Sequence, residues 1–421
     1  MKTSVVPKVD ARRLLERLAA LADIGAIPGG GCSRLALTTE DGLGRDLVVT
    51  WMRDLGLRID VDGIGNVVGT WPADAFEPAV LMGSHIDTVR TGGRYDGNLG
   101  VLAGLAVIEA VITAGVATDR PLAVGFFTDE EGSRFAPDML GSLVYVGGMS
   151  VEDALDVRDA DGCRVGDELE RIGYRGPAPS PGPVPHAFVE LHIEQGPVLE
   201  NDDVTIGAVT GVQGISWTEI TVEGQSNHAG TTPMHLRHDA AYVAATITTF
   251  VRDLTWTVGH GQVGTVGRLD LHPDLVNVVP GRAVLTVDLR NTDADRLRLA
   301  ENRLESFCAE LARKEGVTIT TRALARFAPV QFDRSVVDLV QDVAVEHDLT
   351  VARLASGAGH DAQMFARVAP SGMIFVPSHR GISHNPAEHT EPADIEAGAT
   401  VLLHVVLRLA SDAASSQERV A

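Results

Sequence analysis

Apolar residues recur along this chain in two rhythms. Between Ala11 and Ile24, Leu14, Leu18 and Leu21 fall at helical spacing behind Asp10, a residue suited to cap a helix, so an amphipathic surface helix is expected there. Ala79 to Gly83 and Leu122 to Phe127 are short unbroken apolar runs of the kind that form buried strands, and Met373 to Val376 is another. Asn98 to Ala114, rich in Ala, Leu, Val and Ile, predicts a helix between the first two. Residues 156 to 187 read as loop: Pro177, Pro179, Pro181, Pro183 and Pro185 alternate, which favours an exposed, partly polyproline connection. The pattern changes at about Gly211. Ile215 to Glu223, Val263 to Leu271, Ala283 to Arg290 and Val317 to Arg322 predict strands, and Asp239 to Leu254 and Ala294 to Glu315 predict helices, the second capped by Asp293. The order β-α-β-β-α-β is that of a split βαβ sandwich. The expected organisation is α/β throughout, with a discontinuous domain over 1–210 and 328–421 and an inserted ferredoxin-like domain over 211–327.

Composition narrows the class. A chain of 421 residues has room for two cores, and 44% hydrophobic with 22% charged residues is the balance of a folded enzyme. The formal net charge of −22 argues against nucleic acid and anionic membrane surfaces as partners, since both need a basic footprint. Cys32, Cys163 and Cys308 are far apart and odd in number, which fits reduced thiols in the cytoplasm better than a disulfide framework or a cysteine metal site. Met1 to Asp10 lacks the apolar stretch of a secretory leader, and no run approaches the length of a membrane span.

Chemistry gathers where apolar runs end. Five motifs combine histidine or carboxylate: Gly83-Ser84-His85-Ile86-Asp87, Tyr95-Asp96-Gly97-Asn98, Thr128-Asp129-Glu130-Glu131-Gly132, Glu190-Leu191-His192-Ile193-Glu194-Gln195 and Gly381-Ile382-Ser383-His384-Asn385. Ligands of open α/β sheets bind beyond the carboxyl ends of strands, where three of these motifs lie, so distant segments can converge. Imidazoles with carboxylates and no thiolates suit zinc, manganese or cobalt in a hydrolytic site. Asp96 is the natural bridge between two ions, and Asp87 is placed to orient the His85 ring. Glu130 and Glu131 are adjacent and should point apart, one toward metal and the other toward a proton of water. Nine of the 14 histidines, among them His235, His260 and His404, carry no assigned role.

Taken in order, the segments GSHIDTV, GGRYDGNLGVLAG, DEEGSRF, ELHIEQGP, SNHAGTTPM, NVVPG, DLR, GAGHDA and GISHNPAE give the chain, from about residue 10 to 410, a specific resemblance. It resembles the M20-type amidohydrolases, in particular their hydantoinase/carbamoylase branch. That branch includes N-carbamoyl-L-amino acid hydrolases, metal-dependent β-ureidopropionases and allantoate amidohydrolases. The resemblance implies a zinc-peptidase-like catalytic domain interrupted by a lid that also forms a homodimer. It implies two divalent ions, one held by His85, Asp96 and His192 and the other by Asp96, Glu131 and His384, with Glu130 as general base. Gln195, His228, Asn277, Arg290, Gly359 and His360 fall on the family's substrate-binding positions, His228 also serving the developing oxyanion.

The chemistry that follows is hydrolysis of a carbamoyl C–N bond in a small ureido acid. Glu130 takes a proton from the attacking water and returns it to the leaving amine, and the carbamate breaks down to carbon dioxide and ammonia. Arg290 offers a planar fork that matches a substrate carboxylate. The resemblance admits an allantoate amidohydrolase, and further off an aminoacylase-like amide hydrolase, and a catalytically silent binding protein on the same fold is a different class altogether. Release of ammonia from a panel of ureido substrates separates these readings.

Overall fold

A computed structural model describes residues 6–411. They form two compact units: Gly211–Gln331, and the chain on either side of it.

The larger unit is built on a twisted mixed sheet. Its strands run side by side in the order Arg58–Val61, Val67–Trp71, Leu122–Phe126, Val80–Ser84, Ala187–Ile193, Ser371–Val376 and Ile206–Val212. Val80–Ser84 pairs in parallel with Leu122–Phe126 and with Ala187–Ile193, which in turn pairs in parallel with Ser371–Val376. Every residue of these four strands is buried. That is why they read as unbroken apolar runs: a parallel sheet is covered on both faces and has no solvent side to alternate with. The helix Asn98–Ala114 crosses one face and is itself buried almost all round. Small residues let it lie close. A Cβ on Gly100 would come within 2.5 Å of the Leu191 carbonyl oxygen, and one on Gly104 within 2.8 Å of Val124 Cγ2. The helix Ala11–Ala22 starts where the pattern predicts, with Asp10 accepting from the Arg13 amide, and buries Leu14, Leu18 and Leu21.

The reading of 156–187 as loop is corrected at one place. Val165–Ile172 is an amphipathic helix that buries Val165 and Leu169 and ends on Gly173, whose φ is 77°. Its apolar positions are only Val165, Leu169 and Ile172, too few to stand out beside the prolines that follow.

The smaller unit is a four-stranded antiparallel sheet in the order Thr318–Phe327, Gly214–Glu223, Arg282–Asn291, Val263–His272. The helices Ala240–Val258 and Ala294–Glu315 cover one face, with Ile220, Val222, Leu285, Val287, Val243, Ile247, Val251, Leu297 and Leu304 in the shared core. Asp239 and Asp293 cap them, each accepting from two backbone amides of the first turn. The unit runs to Gln331, and Val330 and Gln331 pair antiparallel with Val212 and Gly211.

Candidate metal centre

The carboxyl ends of the parallel strands deliver the site. His85 follows Val80–Ser84 directly, the run Thr128 to Glu131 follows Leu122–Phe126, and His192 is the penultimate residue of Ala187–Ile193. Asp96 lies before Gly97, which caps the long helix at φ 66°. A Cβ on Gly97 would sit 2.4 Å from the His85 ring, so this glycine is required for space as well as for backbone conformation. Asp129 is left-handed at φ 57°. Beyond it Glu130 and Glu131 diverge: Glu130 Oε2 lies 3.4 Å from His85 Nε2, and Glu131 Oε2 lies 3.3 Å from His384 Nε2.

Asp96 stands between two sets of donors. Its Oδ1 is 3.6 Å from His85 Nε2 and 3.1 Å from His192 Nε2, while its Oδ2 is 3.3 Å from His384 Nε2. His85, Asp96 and His192 can surround one ion and Asp96, Glu131 and His384 another, the donor atoms of each group lying within 4.8 Å of one another. Glu190, His192 and His360 form a third such group. We set it aside because Glu190 is already engaged, Oε1 accepting from Ser84 Oγ at 2.6 Å and Oε2 from the Ala362 amide at 2.9 Å.

The electrostatics fit cations. The cavity, about 110 Å³, is lined by His85, Asp96, Glu130, Glu131, Asp138, His192, Gln195, Ala358, Gly359, His360 and His384, with no lysine or arginine among them. Burial, with Asp361, Glu131 and Asp87 close by, holds the Glu130 carboxyl well above its usual range, against the pull of His85. Burial and the Asp96 charge push Glu131 up to about 8. The hydrogen bond to Asp96 raises His384 to about 9. Burial works to raise Asp96 too, but the imidazoles of His192, His384 and His85 outweigh it and hold it well below the ordinary carboxylate value. Buried acids and imidazoles that must hold one another's protons are groups from which a divalent cation displaces protons.

The imidazoles are oriented by main chain. Asp87 does not hold His85 through its carboxylate as its position suggests: the Asp87 carbonyl is 2.9 Å from His85 Nδ1, and the carboxylate 3.9 Å. That carboxylate instead accepts from the amides of Glu130 and Glu131, at 3.3 and 3.4 Å, and so fixes the turn that carries them. His192 Nδ1 lies 2.9 Å from the Ile193 carbonyl oxygen. Gln195, left-handed at φ 56°, donates to Asp96 Oδ2 at 2.8 Å, and its Oε1 is buried with no partner among the described residues. His360 Nε2 is 2.8 Å from Ser356 Oγ, and its buried Nδ1 likewise has none.

His228, Asn277 and Arg290 belong to Gly211–Gln331. His228 pairs with Val278 in a short two-stranded ladder, which brings Asn277 alongside, its carbonyl accepting from the Ala229 amide. His228 Nδ1 accepts from the amides of Gly230 and Thr231 at 3.1 and 3.2 Å. A ring nitrogen that accepts twice carries no proton, so in the neutral ring the hydrogen is on Nε2. Arg290 Nε and Nη2 both meet the Asp288 carboxylate, at 3.1 and 2.8 Å, and the guanidinium lies 6.0 Å from the Trp217 ring centre.

Sequence reasoning passed over Glu190, Asp361 and Glu388, all buried around the site. Each stands inside a quoted motif, ELHIEQGP, GAGHDA or GISHNPAE, within four residues of a histidine that drew the attention. A larger cavity of about 470 Å³ lies beside Arg58, Phe76, Tyr145 and Val184 in the same unit. It holds no histidine, and its buried carboxylate, Asp62, is already satisfied by Ile64, Asn66 and Ser180.

Comparison with known proteins places the molecule. Residues 81–408 match the model of peptidase family M20/M25/M40, and the chain belongs to that family of metal-dependent hydrolases. Its resemblance within the family is to the hydantoinase/carbamoylase branch. An amidase of the hydantoinase/carbamoylase family from Burkholderia multivorans superposes with a TM-score of 0.94 at 44% identity, covering 96% of this chain and 99% of that one. An N-carbamoyl-L-amino-acid amidohydrolase of Rhizobium meliloti is 41% identical over 96% of this chain and 97% of its own. Allantoate amidohydrolase of Escherichia coli is 37% identical over 94% of this chain and 97% of its own. Among the described residues, no helix is long and apolar enough to cross a membrane.

Proposed function

We propose that this protein hydrolyses the carbamoyl C–N bond of N-carbamoyl-L-amino acids, or of N-carbamoyl-β-amino acids, to the free amino acid, carbon dioxide and ammonia. The observation that carries the reaction is the placement of Asp96, whose two oxygens face separate sets of donors while Glu130 stands beside the first. His85, Asp96 and His192 would hold one ion, and Asp96, Glu131 and His384 the other; zinc, manganese and cobalt all suit these donors. Such a pair supplies an acidified water and a polarised carbonyl. Glu130, buried and with its pKa raised, takes the proton of the attacking water and gives it to the leaving amine. Gln195 Oε1 and His360 Nδ1, buried and unpartnered, suit the N–H groups of a ureide. His228 donates a hydrogen bond from its Nε2–H to the developing oxyanion, Arg290 holds the substrate carboxylate, and Asn277 and the Gly359 backbone orient the rest.

The relative from Rhizobium meliloti supports the N-carbamoyl amino acid reading, and the 37% identity to an allantoate amidohydrolase supports a second. The test is ammonia release after loading with manganese, zinc or cobalt, on N-carbamoyl-α-amino acids, N-carbamoyl-β-alanine and allantoate. The first reading expects the highest kcat/KM on a carbamoyl amino acid. Preference for allantoate selects the second, and turnover of N-acyl but not N-carbamoyl substrates excludes both.

A further inference from the structure

The turn after His384 reaches back to the loop that carries Asp96. Glu388, only 5% exposed, directs its carboxylate between the two segments. Its Oε1 accepts from the amides of Tyr95 and Asp96, at 2.9 and 3.2 Å. Its Oε2 lies 3.1 Å from Ser383 Oγ, and that hydroxyl is also 3.1 Å from Asp96 Oδ2. The Ser383 hydroxyl has one proton, so it can donate to one carboxylate at a time and keeps both within reach. The opposite wall is Gly93, where a Cβ would lie 2.0 Å from Glu388 Oε1. Gly93 has no positive φ in this structure, so it is the carboxylate that leaves no room for a side chain there. Two segments almost three hundred residues apart are thus fitted around one buried acid.

The two sets of donors depend on this strap unequally. His85 and His192 are held by the Asp87 and Ile193 carbonyls, and His192 is part of a buried strand. His384 belongs to no strand or helix, has a left-handed backbone at φ 54° and a half-exposed side chain. Its distance from Asp96 is therefore set by how the 383–388 turn is tied down. We propose that Glu388 is a positioning residue for the Asp96–Glu131–His384 set, fastening the loop of His384 to the loop of Asp96 so that one of two ions depends on it and the other does not. The proposal rests on the two-ion reading above.

The experiment is manganese titration of the metal-free, full-length protein by calorimetry, with electron paramagnetic resonance of the loaded samples. The wild type should take up two ions and show the signal of a spin-coupled pair. Glu388→Ala should bind one ion as before and the other roughly 10- to 100-fold more weakly, the usual effect of losing a partner that orients ligands. At one equivalent its spectrum should be that of an isolated ion. Glu388→Gln keeps an acceptor for the two amides and should restore the coupled pair. Gly93→Ala, which crowds the carboxylate from the other side, should copy Glu388→Ala while both variants keep the wild-type circular dichroism. Undiminished binding of both ions by Glu388→Ala overturns the proposal, as does a Gln variant no better than Ala. Equal weakening of both ions also overturns it, because the strap would then support the whole site. A wild type that takes up a single ion ends the two-ion reading itself, and this proposal with it.

Discussion

Glu130 and Glu131 are neighbours with the same side chain, and their surroundings differ. Glu131 faces His384 and Asp96, a set open to a cation, whereas Glu130 faces His85 with Asp361 and Asp87 behind it. Glu130→Gln should keep its metal content and lose turnover on the order of 100-fold or more, as expected for a positioned general base. Glu131→Gln should lower metal content first, and its activity should recover in part at high metal concentration. Elemental analysis beside initial rates checks both, and an identical loss of metal in the two variants would reject the division of roles. Adjacency in the sequence is enough to expect two directions. Which residue takes which direction is set by the left-handed Asp129 and by the grip of Asp87 on both amides, features that only the fold displays.

Whole elements were legible wherever one period dominated. The helices Asn98–Ala114 and Ala294–Glu315 have the bounds their patterns predict, and Ala240–Val258 starts behind Asp239 but runs on past Leu254, since Val258 is buried too. The strand Thr318–Phe327 outruns its predicted end at Arg322 because a register shift between Ala323 and Ala325 lets it keep pairing where the alternation slips. Strands such as Val67–Trp71, paired antiparallel beside the parallel core, escaped notice because Gly69 and Thr70 interrupt the apolar run. Sheet register also decides what can surround Arg290. Asp288 lies directly opposite Trp217 on the neighbouring strand, and Arg290, two residues on, shares their face. Both are positioned to hold the guanidinium, and under the proposed function the substrate carboxylate meets a fork held this way. Removing a charge-assisted hydrogen bond costs about 1.5–3 kcal/mol, or roughly 10- to 150-fold. Arg290→Ala should lower kcat/KM for N-carbamoyl amino acids by that order with metal content unchanged, and Arg290→Lys should recover only part of it. A carboxamide analogue should react poorly with the wild type and respond little to the substitution. Equal losses on acid and amide would show that Arg290 supports its sheet rather than reading the carboxylate.

At the scale of the molecule, most of the exposed large apolar side chains lie in the unit Gly211–Gln331. Val263–His272 is the edge strand of its sheet, with Val263 and Leu269 exposed. The helix Ala240–Val258, packed beside that strand, presents Tyr242, Thr249 and Trp256 to solvent at seven-residue spacing, Trp256 being 79% exposed. An edge strand with open hydrogen-bonding groups invites pairing, and proteins blunt such edges or use them. Here Arg268 and Asp270 are the charges on the strand, and they satisfy each other. A strand beside an identical strand, related by a two-fold axis, would continue the sheet and lay the aromatic helices side by side, which is the isologous contact of a closed dimer. The −22 charge opposes association at long range, but salt screens exposed charges beyond roughly 8 Å at physiological ionic strength, whereas apolar contact is not screened. The wild type should therefore scatter light as a dimer at micromolar concentration. Trp256→Glu, at a side chain that contributes little to its own core, should shift it to monomer without lowering the melting transition of the unit. A wild type that is monomeric across that concentration range would remove the dimer. A Trp256→Glu variant that stays dimeric would move the interface away from this strand and helix.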